Sequence, residues 1–190
     1  RKDIEIEGAL FKALCVVLGH VGKDSINRKV LSSLFNAGLK KKDQKQQVSS
    51  HYDLGNEFYK LWLDETMSYS CAYFKHENDS LKDAQYQKVH HILDKLYLKE
   101  GMTLLDIGCG WGFLLIEAAR KYGVKGYGCT LSEEQWKKGQ ERIKEYGFEG
   151  QVEIELIDYR DVAASRRTFD RIVSIGMLEH VGRPNFPLYM

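Results

Sequence analysis

The chain has 190 residues, 43% hydrophobic and 29% charged, with a formal net charge of +1. That length suits one domain with a small appendage and carries enough apolar residues for a core, while the near-zero charge offers no global field for nucleic acid. The four cysteines, Cys15, Cys71, Cys109 and Cys129, show neither CxxC spacing nor a histidine-rich partner cluster. This argues against a metal centre or a disulfide framework and for reduced thiols in the cytoplasm.

In chain order, Leu10, Phe11, Leu14, Val17, Leu18 and Val21 recur at helical spacing. This longest apolar stretch, Ala9 to Val21, is interrupted by Lys12 and His20. It falls short of the roughly 20 apolar residues that a membrane span needs, and no signal-peptide pattern is expected. A second helix is predicted over Val30 to Phe35, stopped by Asn36-Ala37-Gly38. Between Lys23 and Lys45 stand seven basic and two acidic residues, ending in Lys40-Lys41-Lys42. Such a run is either a solvated linker or a segment drawn to anionic phospholipid. The expected organisation is a helical region with a basic linker over 1–47 and the main domain over 48–190.

A long helix is predicted over Leu81 to Tyr97, with surface or core roles for His90 and His91. The richest segment follows. Leu104-Leu105-Asp106-Ile107 leads into Gly108-Cys109-Gly110-Trp111-Gly112, and a helical run follows over Phe113 to Tyr122. This is a strand, a tight turn and a helix start, the corner at which a doubly wound α/β sheet meets a nucleoside. The spacing is G-x-G-x-G rather than the dinucleotide G-x-G-x-x-G. That difference points away from a pyrophosphate on the helix N-terminus and toward a phosphate-free ligand such as S-adenosylmethionine.

Gly126 to Leu131 reads as a second strand, ending where a ribose-binding group belongs. In place of a carboxylate it offers Thr130-Leu131-Ser132. Ser132 is a predicted N-cap and Gln135 sits at the capping-box position, so helix initiation and ribose binding are both open. Val152 to Ile157 alternates as a third strand with Asp158-Tyr159-Arg160 at its end. Phe169 to Ile175 is the fourth, followed by Gly176-Met177-Leu178-Glu179-His180. All four carboxyl ends carry polar or glycine-rich residues, and ligands bind at that edge of an open α/β sheet.

Together with His51-Tyr52-Asp53-Leu54-Gly55-Asn56-Glu57-Phe58-Tyr59 and Tyr69-Ser70-Cys71-Ala72-Tyr73-Phe74, these segments make the run from His51 to Gly182 similar to one enzyme family. It resembles the cyclopropane fatty acid synthase and mycolic acid cyclopropane synthase family of methyltransferases. The glycine loop marks methyltransferases in general, whereas Tyr69 to Phe74 and Glu179-His180-Val181-Gly182 are far more specific. The resemblance implies a Rossmann-like S-adenosylmethionine-dependent methyltransferase domain with a doubly wound sheet. Only four strands are readable, so the chain is expected to be a piece of a longer one, with further active-site residues, including a His and a Tyr, beyond Met190.

The activity so implied is methylene transfer across the cis double bond of unsaturated phospholipid acyl chains, by a cytoplasmic protein peripherally attached to the membrane. The π bond is a weak nucleophile and a cation develops beside the new methyl group. The site must align two reactants, stabilise that cation and provide a base. The family implies bicarbonate as the base, gripped by groups including those matching Cys71 and Glu179. Tyr69 and Ser70 match contacts to the methionine end of the cofactor and Gln135 its ribose contact. Asp106, Gly108, Gly110, Gly112, Thr130 and Leu131 line the expected cofactor edge. Asp158, Tyr159 and Arg160 align with adenine-side residues in a segment that departs from the mycolate-type pattern. From the residues alone, Cys71 is expected to be a small buried hydrophobe and Glu179 a helix N-terminal charge. Tyr52, Phe58, Tyr59, Trp62, Tyr73 and Phe74 are candidates for an acyl channel. A methyltransferase with another acceptor and a non-catalytic cofactor- or membrane-binding regulator are the alternatives, and a homodimer is left open.

Overall fold

A computed structural model describes residues 55–181 and 185–190. The segments expected to form the two N-terminal helices, the basic run and His51 to Leu54 lie outside the described residues. Those described fall into two units, a main body over 55–180 and a short piece from Val181 onward.

The main body opens with a short helix, α1 (Asn56–Lys60), and then α2 (Leu81–Lys95). Ser80 caps α2 by accepting from the Asp83 amide, one of the orphan donors of a first turn. There follow β1 (Thr103–Ile107), α3 (Phe113–Tyr122), β2 (Lys125–Thr130), α4 (Glu133–Glu145), β3 (Val152–Leu156), α5 (Tyr159–Ala164), β4 (Arg171–Val173) and the single turn α6 (Leu178–Val181). In the second unit, Asn185 Nδ2 donates to Val181 O at 2.8 Å just before α7 (Phe186–Tyr189).

The four strands are parallel in the order β3-β2-β1-β4. The chain winds outward from β1 through β2 to β3, then returns to the opposite side of β1. That reversal puts a crevice at the carboxyl ends of β1 and β4, the switch point where such sheets bind ligands.

Helices pack on both faces of the central strands β1 and β2, as parallel strands require, while Ile172 of the edge strand β4 stays exposed. Leu104, Val152 and Ile154 join Val89, Leu93, Phe113, Leu115 and Ile116 in the larger core, beneath α2, α3 and α4. Leu105, Tyr127 and Cys129 pack with Val162 of α5 on the other face. Residues 113–119 of α3 are all buried, whereas α4 buries only Gln135, Gly139, Arg142 and Ile143. Those four share one helical face.

The sheet, α3 and the Ser132 cap follow the sequence expectation. β4 is shorter than the predicted Phe169 to Ile175, because its pairing with β1 ends at Asp106 and Val173. Ser174 then turns its side chain to β1, and its Oγ donates to Ile107 O at 2.9 Å.

Candidate active site

The glycine loop is anchored from below. The amides of Gly108 and Cys109 both donate to Cys129 O at the end of β2, at 3.0 and 3.1 Å. Gly108, Gly110 and Gly112 have φ values of 76°, 56° and 81°. The outer two also answer to close packing. A Cβ on Gly112 would lie 2.5 Å from Ile154 Cδ1, and one on Gly108 would meet the Met177 side chain, with Sδ at 2.7 Å. At Gly110 a Cβ would meet nothing within 4 Å. The middle glycine therefore has an open backbone face at the carboxyl end of β1, which leaves room for a ligand to approach the main chain.

Along the same edge, Ile157 N donates to Thr130 O at 3.0 Å, which sets the ends of β2 and β3 side by side. Ser132 accepts from the Gln135 amide as predicted. The reciprocal half of a capping box does not form. Thr130 Oγ1 instead donates to Gln135 Oε1 at 2.8 Å and accepts from the Ser132 amide. Gln135 and Thr130 are both buried, and Leu131 beside them is half-buried. At the end of β3 Asp158 caps α5, and Arg160 donates to both its carboxylate oxygens, at 2.8 and 2.6 Å. Tyr159 packs against the second core. These three residues lie across β2 and β1 from β4, about 14 Å away at the usual strand spacing. Contacts at both ends of that edge suit an elongated ligand laid along it.

Asp106, the last buried residue of β1, is 3% exposed, and burial pushes its carboxyl up to about 7. Burial likewise raises the thiols of Cys109 and Cys129, the latter to about 11, so both are inert packing groups.

At the carboxyl end of β4, Ser70 and Glu179 both lie close to Gly176. A Cβ there would have Glu179 Oε1 at 3.7 Å and Ser70 Cβ at 3.8 Å. Cys71 is exposed, which corrects the expectation of a buried hydrophobe. It sits on a strap, residues 64–74, that buries Thr66 and Met67 at one end and leaves Cys71 to Phe74 largely at the surface. Arg142 of α4, buried, donates to Thr66 O at 2.8 Å and Glu65 O at 3.3 Å. Gln85 of α2 donates through Nε2 to Ser68 O and Ser70 O, each at 3.1 Å. Its Oε1 is buried without a hydrogen-bond partner among the described residues. Tyr73 N donates to Ala84 O, and the Tyr73 ring stacks on His91 at 5.0 Å. His90 faces Glu117 at 3.3 Å, so neither histidine of α2 belongs to the crevice.

Of the aromatics proposed for an acyl channel, Tyr59 is buried while Phe58, Trp62, Tyr73 and Phe74 are exposed. Tyr52 lies outside the described residues. Tyr69, 43% exposed, packs on Tyr59 and Trp62 at 5.4 and 5.1 Å. Tyr59 in turn touches Trp111 of the glycine loop at 5.3 Å. Trp111 Nε1 donates to Asn56 Oδ1 at 2.7 Å, and Asn56 Nδ2 donates to Glu134 Oε2 at 3.3 Å. Sequence reasoning passed over Asn56, Gln85 and Arg142, because each earns its place through a partner 15 to 78 residues away. For Gln85 and Arg142 the signal available was a polar residue on one helical face with an apolar position of its helix, Val89 on α2 and Ile143 on α4.

Among known proteins, the family described as mycolic acid cyclopropane synthetase matches residues 39–190. The cyclopropane-fatty-acyl-phospholipid synthase of Escherichia coli strain K12 is 46% identical over 189 residues, all of this chain and 47% of that protein. The cyclopropane synthase MmaA2 of Mycobacterium tuberculosis superposes with a TM-score of 0.72 at 39% identity, over 76% of this chain and 50% of that one. The mycolic acid cyclopropane synthase CmaA1, complexed with SAH and CTAB, gives 0.70 at 38% identity over the same shares. The chain thus spans about half the length of the curated relatives it matches. With a parallel sheet, a crevice at its switch point and these relatives, the chain belongs to the mycolic acid cyclopropane synthetase family.

Proposed function

We propose that this chain is the cofactor-binding part of an S-adenosylmethionine-dependent enzyme that converts cis-unsaturated phospholipid acyl chains to cyclopropane acyl chains. The observation that carries the reading is the open face of Gly110 at the mouth of the crevice, between an edge fit for a nucleoside and a pole bearing Ser70 and Glu179. The relatives support it by what they are: a cyclopropane-fatty-acyl-phospholipid synthase and a cyclopropane synthase complexed with SAH.

When bound, S-adenosylmethionine supplies an electrophilic sulfonium methyl. Gly108 to Gly112 hold its backbone-facing side. Thr130, Leu131 and Gln135 flank the ribose position, with Asp158, Tyr159 and Arg160 beyond them on the adenine side. Tyr69 and Ser70 hold the amino-acid end. Asp106, buried beneath the loop with its pKa raised to about 7, would be only partly ionised near neutral pH. We assign Glu179 and Cys71 to hold a bicarbonate base, which would take a proton from the transferred methyl group as that carbon bonds to the neighbouring cationic acyl carbon and closes the ring. The exposed rings of Trp62, Tyr73 and Phe74 offer apolar surface to an acyl chain. No helix among the described residues is long and apolar enough to cross a membrane. Peripheral attachment to the bilayer is our reading of the basic run over 23–45, whose charge suits anionic phospholipid.

The test is a mass-spectrometric lipid profile of cells expressing the protein. One added CH2 on unsaturated chains, with loss of the double bond, is the expected result. A methyl group added with the double bond retained would favour another lipid methyltransferase, and an unchanged lipid pool would contradict the reading.

A further inference from the structure

Lys88 takes no part in the chemistry assigned above, yet it reaches the crevice. It lies on α2 one turn beyond Gln85 and Ala84, the residues that hold the strap. Its Nζ donates to Ser70 Oγ at 2.8 Å. The residue is half-buried. Burial lowers its ammonium to about 8, against the opposing pull of Asp64 and Cys71. A long, flexible cation bears that cost only where it is held, since an ammonium in water loses nothing to desolvation.

The polarity of the bond matters. An ammonium has three donors and no acceptor, so Ser70 Oγ must accept from Lys88, and the Ser70 O–H is left to donate elsewhere. A hydroxyl that accepts from a cation is polarised and becomes a stronger donor. The Ser70 Cβ would lie 3.8 Å from a Cβ placed on Gly176, in the turn that follows β4.

We infer that Lys88 is a positioning residue which, through Ser70, sets a hydroxyl donor for the carboxylate at the amino-acid end of the cofactor. The inference rests on the proposed cofactor reading and goes beyond it, because Lys88 touches neither reactant. Its role is to fix which way one hydrogen bond runs.

The test is calorimetric titration of the purified protein with S-adenosylhomocysteine, which carries that carboxylate, and with methylthioadenosine, which lacks it. Lys88→Met and Ser70→Ala should each weaken S-adenosylhomocysteine by about tenfold, the scale of one charge-assisted hydrogen bond. The double variant should be no weaker than Ser70→Ala alone, because the two residues act as one unit. Lys88→Arg should retain most of the affinity. Methylthioadenosine should bind all variants alike. Lys88→Gln serves in place of Lys88→Met if the latter melts early. Losses that multiply in the double variant, or an equal loss for both ligands, would overturn the positioning role while leaving the cofactor reading intact. Wild-type protein that binds neither ligand would overturn both.

Discussion

The corner that joins β1 to α3 and the strap over residues 64–74 reach the same crevice by opposite means. The corner is set by backbone and packing. Two amides share the Cys129 carbonyl, and Ile154 Cδ1 fills the space that both Gly112 and Gly139 leave empty. The strap is set by polar side chains from two helices, Gln85, Lys88 and Arg142, and most of its own aromatic surface stays exposed. A cofactor common to many reactions needs an invariant backbone cradle. An acceptor site needs groups that can be exchanged one at a time without refolding the sheet. The difference predicts that substitutions in the corner act on the stability of the sheet and on the cofactor as a whole, and that those at the strap act locally, on the amino-acid end of the cofactor through Ser70 and on turnover through Cys71.

The largest expected effect lies under the corner. Asp106 has a folded pKa of about 7 against an ordinary 3.8. A group whose pKa is raised on folding contributes fully below the unfolded value, and that contribution is lost as pH rises through the folded value. At 1.36 kcal/mol per unit, stability should fall by up to about 4 kcal/mol between pH 4 and pH 8 on this account. Denaturant titrations of wild type and Asp106→Asn should show the slope flattened in the variant. Parallel pH profiles would break the placement of a buried acid.

Gly112→Ala comes next, at about 3 kcal/mol, from left-handed strain together with the clash on Ile154 Cδ1. Ile154→Val removes that methyl group and should cost about 1 kcal/mol alone. In combination it should recover part of the Gly112→Ala loss. Additive denaturation free energies would show that the clash is not what excludes a side chain there.

For the strap, Gln85→Leu leaves the carbonyls of Ser68 and Ser70 without their donor. It should cost about 2 kcal/mol. Amide exchange should quicken over 68–73 before it quickens in the sheet, because the strap opens as a unit. Uniform acceleration across the body would erase the distinction between the two regions.

The smallest stability effect belongs to Gly110→Ala, about 1 kcal/mol from φ alone, since its Cβ meets nothing. S-adenosylhomocysteine affinity should nevertheless fall by about tenfold or more as the methyl group enters the ligand's space. Unchanged calorimetric affinity would move the cofactor off the loop.

How much of this was legible follows the same division. Three alternating glycines after an apolar run specify the β1–α3 corner locally, and Ser132 caps α4 because a side-chain oxygen and an amide three residues on need nothing else. The same local logic failed at Gln135, whose side chain found Thr130 rather than closing the box. It failed at Cys71, where burial propensity yielded to a strap that Gln85 ties to α2 through Ser68 O and Ser70 O, with Cys71 left at the surface. Lys88 carries no local signal, because the hydroxyl it holds is 18 residues away. Contacts between segments remote in sequence are set by the packing of whole elements, and no spacing rule encodes them.

The measurement that bears most directly on the division between cradle and reactive pole is the Glu179→Gln variant, followed both by cofactor titration and by turnover on unsaturated phospholipid vesicles. Removing an interaction made only in the transition state lowers kcat without weakening ground-state binding. The account predicts cofactor affinity within about twofold of wild type and turnover lowered by about a hundredfold, the scale of one lost electrostatic contact. Affinity and turnover falling together, or neither changing, would contradict it.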